Sequence, residues 1–308
     1  MDKLQLPISV VITTFNEASN IEKWCDSLLA QTAVPSELIV VDSESNDSTL
    51  SKIDQKMKGS NIVTKLITKK CNISEGRNIA IDAASNEKIA VTDGGVELVP
   101  EWLYRIYNGL EHSEVVAGYY SFGGNNKYQK AYKSLFYVGT ESVDSKAFLP
   151  SSRSLGLLKK CWKSVGGYNE DFRIGEDTDF DLKLKKAGFK FFFEPLALVE
   201  WELRPTLAAM FKQQYLYSKW DGIIRQNVFG NSCFSIWLLT LLVLLTLSFT
   251  SLWWMGAFAF SLTLPILIKT IKQKTYCESS LVSRFQVLTA CYIAKGIGFL
   301  SGVLQKRA

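Results

Sequence analysis

The first two thirds of the chain alternate between apolar, β-branched runs and stretches with the spacing of amphipathic helices. The runs end in polar residues, which is typical of strands that stop at the edge of a sheet. Strand–helix alternation predicts an α/β fold with a mainly parallel sheet flanked by helices. Ligands of such sheets bind beyond the carboxyl ends of the strands. The predicted strands are residues 8–15, 37–43, 61–68 and 87–94, and the clearest predicted helices are 17–31 and 75–85.

The last part of the chain has a different pattern, because residues 233–249 and 252–268 carry no charge. About 20 apolar residues span a bilayer core as a helix, so the pattern predicts two transmembrane helices, at about 233–249 and 252–269. A buried helix pair in a water-soluble protein is the alternative, but helices that are apolar on all sides are rare there. The predicted domains are therefore 1–228 and a membrane anchor at 229–308.

The positions of the cations predict the orientation of this anchor. Lys269, Lys272, Lys274 and Arg284 follow the second predicted span, whereas the turn between the spans has no cation. The positive-inside rule places this flank, and with it the front domain, in the cytoplasm, which predicts an integral protein of the cytoplasmic membrane. Residues 283–305 predict a last helix, either interfacial or a third span, and we favour the interfacial helix.

Charge and cysteine content exclude other classes of protein. The net charge is +5, but the segment from residue 229 onward holds seven of the 35 Lys and Arg and one of the 30 acidic residues. The front part is thus nearly neutral and lacks the basic surface expected of a nucleic-acid-binding protein. Six cysteines occur singly and there is one histidine, which indicates neither a zinc site nor a disulfide framework.

An acidic stretch, "GEDTDFD" at 175–181, begins a predicted helix that ends at Gly188. Asp179 and Asp181 each precede a lysine by four residues, so both are expected to form stabilising pairs on the helix surface. Helical spacing predicts a buried stripe formed by Phe180, Leu184 and Ala187.

Polar residues also follow the predicted strands. Thr14 or Asn16 after the first strand would serve as a helix N-cap. Asp42 follows the second strand and Asp93 follows the fourth, and each by itself is typical of a tight turn. Because parallel strands end at one rim, we expect these carboxylates to converge there, where a cation or a ligand rich in donors would balance them.

Six motifs in order resemble a family 2 glycosyltransferase with the GT-A fold, over about residues 7–225. They are "SVVITTFNEASNIEKWCDSLLAQT", "ELIVVDSESNDSTL", "SEGRNIAIDAA", "IAVTDGGVELVPEWL", "PSSRSLGLLKKCWKSVGGYNEDF" and "GEDTDFDLKLKKAG". The resemblance implies an inverting transferase that uses a UDP- or GDP-linked sugar.

The resemblance also implies which residues bind the donor. Thr13, Phe15 and Glu17 would line the nucleotide pocket, with Phe15 near the base, and Asp42 would accept a hydrogen bond from the base. Arg77 would reach the nucleotide or phosphate with its bidentate guanidinium.

Asp93 matches the first acid of the DxD motif, which holds Mg²⁺ or Mn²⁺ against the diphosphate, and the second acidic position is Gly95. One carboxylate with phosphate oxygens and waters still makes a reasonable Mg²⁺ shell. Glu97 is expected to face the solvent.

For the acceptor side, Asp177 matches the general base of the family and Glu176 would orient the acceptor; their alternative role is to stabilise the positive end of the helix dipole. Arg153 and Trp201 are further candidates for contacts with acceptor or diphosphate, although Arg153 would equally suit an ion pair. The segment 200–222 resembles an amphipathic segment at the bilayer surface.

The sequence thus predicts a membrane-anchored glycosyltransferase with a lipid-linked or other membrane-borne acceptor, in polysaccharide or glycolipid biosynthesis. A polyprenyl phosphate acceptor would need no base, and this alternative stays open. A non-catalytic nucleotide-binding or scaffold module is the second alternative. A Rossmann dehydrogenase is excluded because no G-x-G-x-x-G follows the first strand.

Overall fold

The computed structural model describes residues 3–225, 228–272 and 279–305. They fall into two compact units. The first contains residues 3–121 and Val138–Glu202, and the second contains Phe122–Tyr137 and the described residues from 203 onward. The predicted domain boundary at residue 228 stays a prediction.

The first unit is built on one eight-stranded sheet with the strand order β3-β2-β1-β4-β7-β6-β8-β5. β2 and β4 flank β1 in parallel and β3 continues the parallel half beyond β2, whereas β7 pairs antiparallel with β4 and with β6, and β5 with β8. The strands are β1 Leu4–Thr14, β2 Ala33–Asp42, β3 Val63–Thr68, β4 Lys88–Val91, β5 Val96–Leu98, β6 Val115–Gly123, β7 Leu155–Leu158 and β8 Phe191–Glu202.

Helices cover both faces of this sheet. Successive strand residues point to opposite faces, so Val10 joins one apolar core with Trp24 and Trp102, while Val11 joins the other with Ile81 and Phe180. Burial on both faces explains why the strands read as continuous apolar runs. The helices of this unit are α1 Ile21–Leu29, α2 Thr49–Met57, α3 Ile73–Ala83, α4 Trp102–Gly109, α6 Lys159–Ser164 and α7 Glu176–Lys186, with α5 Lys127–Phe136 in the other unit.

Helix α7 agrees with the sequence analysis in part. Asp179 pairs with Lys183 at 3.0 Å, as expected. Asp181 does not form the predicted surface pair, because it is 1% exposed and Lys185 donates to the carbonyl oxygens of Lys146 and Phe148 instead. The face of α7 that packs on the sheet therefore includes a carboxylate.

The predicted apolar stripe of α7 is correct at Phe180 and Leu184, which are fully buried, and wrong at Ala187, which is exposed. The helix ends at Lys186, and Gly188 follows with φ of 91°, the left-handed conformation that commonly terminates a helix.

The second unit is helical, and its closest packing joins α8 and α11. A Cβ at Gly298 or Gly302 would overlap the carbonyl oxygen of Tyr215 or Lys219, so only glycine permits this approach. The buried residues of α8 are Met210, Gln214, Ser218 and Gly222, and an interfacial role for segment 200–222 stays a prediction. Besides α5, the helices of this unit are α8 Leu207–Ile224, α9 Val228–Ser248, α10 Leu252–Lys272 and α11 Leu281–Leu304.

Two helices of the described chain are long and apolar enough to cross a membrane. They are α9 with a mean hydropathy of 2.0 and α11 with a mean hydropathy of 1.7. The first corresponds to the span predicted at 233–249, and the second lies where the sequence favoured an interfacial helix. Buried helices of water-soluble proteins share this length and composition, so membrane association of the second unit stays a prediction.

Glu37 provides a test of the sheet at low pH. Its buried carboxylate accepts hydrogen bonds from Ser9 and Ser85 and pairs with Lys65 at 2.6 Å. Burial raises its pKa, but the bonds from Lys65 and Ser9 outweigh burial and lower the pKa from 4.5 to about 2. This contribution to stability is present above pH 4.5 and is lost as the pH falls towards 2.

We expect Glu37→Gln to lower the free energy of unfolding at neutral pH by about 3 kcal/mol and to flatten its acid dependence. Urea unfolding of the purified chain, followed by circular dichroism between neutral pH and the acid range, measures both effects. The control is Glu22→Gln, which removes an exposed pair with Lys52 and should cost less than about 1 kcal/mol. Equal acid sensitivity of Glu37→Gln and the native chain would contradict the expectation.

Candidate active site

A cleft of about 770 Å³ opens at the carboxyl ends of β1 and β2. Thr13, Phe15 and Glu17 line it, as the sequence analysis placed them, and the ring of Phe15 is 59% exposed. Lys70 and Arg173 bring positive charge to the same cleft. An exposed aromatic ring beside two cations suits a ligand with a planar base and an anionic part.

The loops that form this cleft are fixed by hydrogen bonds between them. Asn16 has a positive φ of 54°, its N–H donates to Ser45 Oγ at 2.8 Å, and its side-chain oxygen accepts from the N–H of Asn46 at 3.0 Å. Neither Thr14 nor Asn16 caps a helix, since α1 begins later, after Asn20. The prediction of an N-cap at these residues is wrong because the polar run joins two loops instead.

Asp42 lies at the end of β2 without solvent exposure. Its carboxylate accepts hydrogen bonds from the hydroxyls of Thr14 and Ser45 and from the N–H of Ser45, at 2.6–2.8 Å. In this arrangement Asp42 holds the ends of β1 and β2 together, and a contact of Asp42 with a nucleotide base stays a prediction.

Arg77 is the centre of the site. Its guanidinium is 3% exposed, donates to Glu176 at 2.6 Å and donates to Asp93 at 2.8 Å. Helix α3 carries Arg77 and approaches β1 closely, since a Cβ at Gly76 would lie 2.8 Å from Thr13. Asp93 and Glu176, which are far apart in the sequence, both lie within hydrogen-bonding distance of the Arg77 guanidinium.

Burial and charge act against each other in this group. Burial by itself would raise the pKa of Asp93, but Arg77 and then Arg153 hold it below its ordinary value. Burial raises the pKa of Glu176, and the charge of Asp177 adds to the rise while Arg77 opposes it. The pKa values of Asp93 and Glu176 thus shift in opposite directions, and Asp93 is the more firmly ionised of the two.

Asp177 is connected to the same group through Ser151. Ser151 Oγ donates to Asp177 at 3.2 Å and accepts from Arg153 at 2.8 Å. Arg153 lies 3.6 Å from Asp93 and stacks on Trp201, with its Cζ 4.3 Å from the ring centroid. The structure therefore brings together all the residues predicted for the acceptor side, and their individual roles stay predictions.

Tyr168 and Phe180 form a stacked aromatic pair next to the Arg77 guanidinium. Tyr168 is buried with its ring centroid 5.4 Å from the guanidinium, its hydroxyl hydrogen-bonds to Ser152 at 2.9 Å, and its ring stacks on Phe180 at 4.1 Å. Phe180 belongs to α7, so its stacking on Tyr168 holds the start of that helix, with Glu176 and Asp177, beside Arg77.

Among the described residues around Asp93, a divalent cation would have a single carboxylate oxygen as its protein ligand. Within the described residues no group of three His, Cys, Asp or Glu side chains could hold a metal ion. Asp93 Oδ1 is bonded to Arg77, whereas Oδ2 has only the longer 3.6 Å contact with Arg153. Glu97 is exposed, as expected. One carboxylate oxygen can therefore ligate a cation whose other ligands come from a diphosphate and water.

Sequence reasoning did not single out Lys70, Arg173 or Ser151, and it placed the buried Asp181 on the surface of the helix. The first could have been found, because Lys70 follows the predicted third strand at the same rim, where only carboxylates were considered. Ser151 and Arg173 sit in irregular segments whose positions no periodicity predicts.

Family comparisons agree with this geometry. The family model for glycosyl transferase family 2 matches residues 9–167, which is more than half of the chain. The chain belongs to glycosyl transferase family 2. A second model, glycosyl transferase family group 2, matches residues 130–294. The family predicted from the six motifs is confirmed.

Individual relatives of this family 2 chain are distant. Glycosyltransferase AglE of Haloferax volcanii is 26% identical over 193 residues, which cover 60% of this chain and 64% of AglE. The mannosyltransferase PcManGT from Pyrobaculum calidifontis, in complex with GDP-Man and Mn²⁺, has a TM-score of 0.51 at 17% identity, over 68% of this chain and 61% of that one. TarS 1-349 of S. aureus with UDP-GlcNAc has a TM-score of 0.51 at 17% identity, over 69% of this chain and 66% of that one. These structures confirm the predicted fold.

Asp181 gives a test of the site's electrostatics. Burial, and next the charge of Asp177, raises the pKa of Asp181 well above its ordinary 3.8, and its Oδ2 has no hydrogen-bond partner. Stability is therefore fully present below pH 3.8 and falls as the pH rises through the raised value.

We expect Asp181→Asn to remove this loss, so that the unfolding temperature of the variant, relative to the native chain, rises as the pH increases above 3.8. Differential scanning fluorimetry across this range measures the difference. The matched control is Asp179→Asn on the same helix, which loses only the partly exposed pair with Lys183. If the difference in unfolding temperature between Asp181→Asn and the native chain does not change with pH, the raised pKa of Asp181 is refuted.

Proposed function

We propose that the chain is an inverting glycosyltransferase that moves a sugar from a nucleoside diphosphate to a membrane-borne acceptor. The observation that supports it best is the pairing of Asp93 and Glu176 on the single buried guanidinium of Arg77. Family membership supplies the class of reaction, and this pairing brings the donor-side and acceptor-side acids of the motifs into one site.

The donor is a UDP- or GDP-linked sugar in this proposal. Phe15 is exposed for stacking on a base, and Lys70 and Arg173 are available to a diphosphate in the same cleft. Two proteins that share the fold bind GDP-Man or UDP-GlcNAc. Two cations that line the cleft would attract the diphosphate and stabilise the charge that grows on it as it leaves.

A Mg²⁺ or Mn²⁺ ion would be held by Asp93 and would neutralise the departing diphosphate. Arg77 and Arg153 lie beside Asp93 and keep that carboxyl ionised, which a metal ligand requires.

The acceptor hydroxyl would transfer its proton to Asp177 as its oxygen bonds to the anomeric carbon and the bond to the diphosphate breaks. Asp177 is partly exposed at the first turn of α7, and Ser151 orients one of its oxygens. A positioned base of this kind contributes about 10²- to 10⁴-fold to the rate. Glu176 stays paired with Arg77 and would orient the acceptor.

The membrane-borne acceptor is proposed from the second unit. Apolar side chains on α9 and α10, such as Ile236, Leu242, Trp253 and Phe260, are at least half exposed. Exposed apolar surface of this extent marks a site of contact with lipid or with another protein. The thickness of a bilayer core matches the length of helices of about 20 residues, which favours lipid. We propose that these helices anchor the first unit to the cytoplasmic face of the cytoplasmic membrane, beside a lipid-linked acceptor.

The first experiment tests catalysis. Detergent-purified protein is expected to hydrolyse a UDP- or GDP-sugar slowly in the presence of Mn²⁺, and Asp93→Ala should abolish this hydrolysis. Glu97→Gln, which removes an exposed carboxylate four positions away on β5, is the control and should retain it. Hydrolysis that survives Asp93→Ala would contradict the proposed role of Asp93, whereas no hydrolysis with any donor of a panel would favour a non-catalytic nucleotide-binding module.

The second experiment separates two acceptor chemistries. With a hydroxyl acceptor, Asp177→Asn should lower kcat by about 10²- to 10⁴-fold, because the proton has no base to receive it. With a lipid phosphate acceptor the attacking oxygen is already ionised, and kcat should remain nearly unchanged. Donor affinity, measured by thermal stabilisation, should be the same in both proteins.

Gly95 tests the proposed cation site. A Cβ at Gly95 would lie 3.9 Å from Glu17 Oε2, an ordinary contact distance, so the backbone at this position accepts the Cβ of an aspartate. A second carboxylate near Asp93 should tighten the binding of Mn²⁺ in the presence of UDP or GDP, because each added charged ligand raises affinity for the cation. Electron paramagnetic resonance of free Mn²⁺ measures this, and unchanged affinity would place the cation elsewhere.

A further inference from the structure

Two lysines lie among aromatic rings inside the second unit. Lys269 Nζ of α10 is 4.3 Å from the ring centroid of Phe136 and 6.0 Å from that of Tyr292. Lys295 Nζ of α11 is 5.2 Å from the ring centroid of Phe234, which packs on Tyr292 at 4.8 Å. These five residues form a lysine–aromatic cluster.

The described residues supply little negative charge to balance the two lysines of the cluster. Both ammonium groups lie among rings that pack on each other, since Phe234 and Tyr292 are 4.8 Å apart between centroids. Within the described residues neither lysine makes an ion pair within 4.0 Å. Asp221 is the carboxylate that attracts Lys295 through space, and its Oδ2 is bonded to Asn231 at 2.7 Å. The rings offset part of the cost through cation–π contacts, but they supply no negative charge.

The position of the cluster limits what could balance it. Lys295 lies in the middle of α11, one of the two helices apolar enough to span a bilayer, and Lys269 lies three residues before the end of α10. Ionisable residues in such helices commonly mark a binding site. Both lysines are half-buried rather than extended into solvent.

We propose that the lysine–aromatic cluster binds the phosphate group of a lipid. Two ammonium groups suit a compact phosphate with several acceptor oxygens, and basic pockets between apolar helices bind the headgroups of anionic lipids. The rings of Phe136, Phe234 and Tyr292 would pack against the first carbons of the lipid. The inference rests on the proposed membrane association and applies both to a lipid-linked acceptor and to a structural lipid.

The test uses the full chain purified in a neutral detergent, without nucleotide sugar. Phosphatidic acid in detergent micelles is titrated and its binding is measured by native mass spectrometry. Phosphatidylcholine with the same acyl chains controls for the lipid chain, and inorganic phosphate controls for the phosphate alone. The variants are Lys269→Gln, Lys295→Gln and the double variant. Lys212→Gln is the matched control, because it removes one exposed lysine from α8 of the same unit.

We expect preferential binding of phosphatidic acid, weakened by about fivefold for each cluster lysine removed and unchanged in Lys212→Gln. Lys295→Arg should retain binding, since it keeps the charge. Equal binding of phosphatidylcholine, or undiminished binding to the double variant, would overturn the proposal. Binding of inorganic phosphate as tight as that of the lipid would show a site for free phosphate and overturn the assignment to lipid.

A second measurement needs no variant and remains decisive if the glutamine variants fail to fold. A photoreactive phosphatidic acid is crosslinked to the native chain, and the labelled peptides are identified by mass spectrometry. Labels on the parts of α9, α10 or α11 around the cluster support the proposal, and labels confined to other helices refute it. Since no donor is present, failure here would leave the proposed transfer reaction untouched, whereas loss of donor hydrolysis would leave the lipid site standing.

Discussion

The ion pairs of Arg77 are the interaction on which the proposed site depends. A guanidinium with 3% exposure has lost its hydration, and it is tolerated only because Glu176 and Asp93 each accept one of its hydrogen bonds. Removing one partner of such a group leaves a buried charge uncompensated, at a cost of about 3–5 kcal/mol. The start of α7 and the end of β4 are thus linked to α3 by charge as well as by packing.

This arrangement follows from how the sheet is covered. Because both faces of the parallel half are buried under helices, the polar groups that close each strand can meet only at the rim. There Asp42 holds β1 to β2, while Asp93 is left to face Arg77 and Arg153. Two aspartates at equivalent strand ends therefore differ in role: the first is enclosed by hydroxyl donors, and the second remains partly exposed.

The second unit differs from the first, since its helices are joined by close backbone contact and by polar groups as well as by apolar side chains. Gly298 and Gly302 let α11 lie directly on α8. Ser218 and Asp221 of α8 bind Asn231 of α9 at 2.9 and 2.7 Å. Small and hydrogen-bonding residues are what helices use to associate where the surroundings are as apolar as their side chains.

The sequence by itself determined the alternation of the first four strands with helices, the family and the rim at which the acids collect, because apolar periodicity and motif order are local properties of the chain. It could not determine that Asp181 is buried, since a spacing of four residues from Lys185 fits a surface pair equally well. The polar buried face of α8 was also hidden, because it depends on the glycines of α11 about 80 residues away. Only the tertiary structure decided that Arg77 joins Asp93 to Glu176, since no periodicity records which distant charges meet once water is excluded.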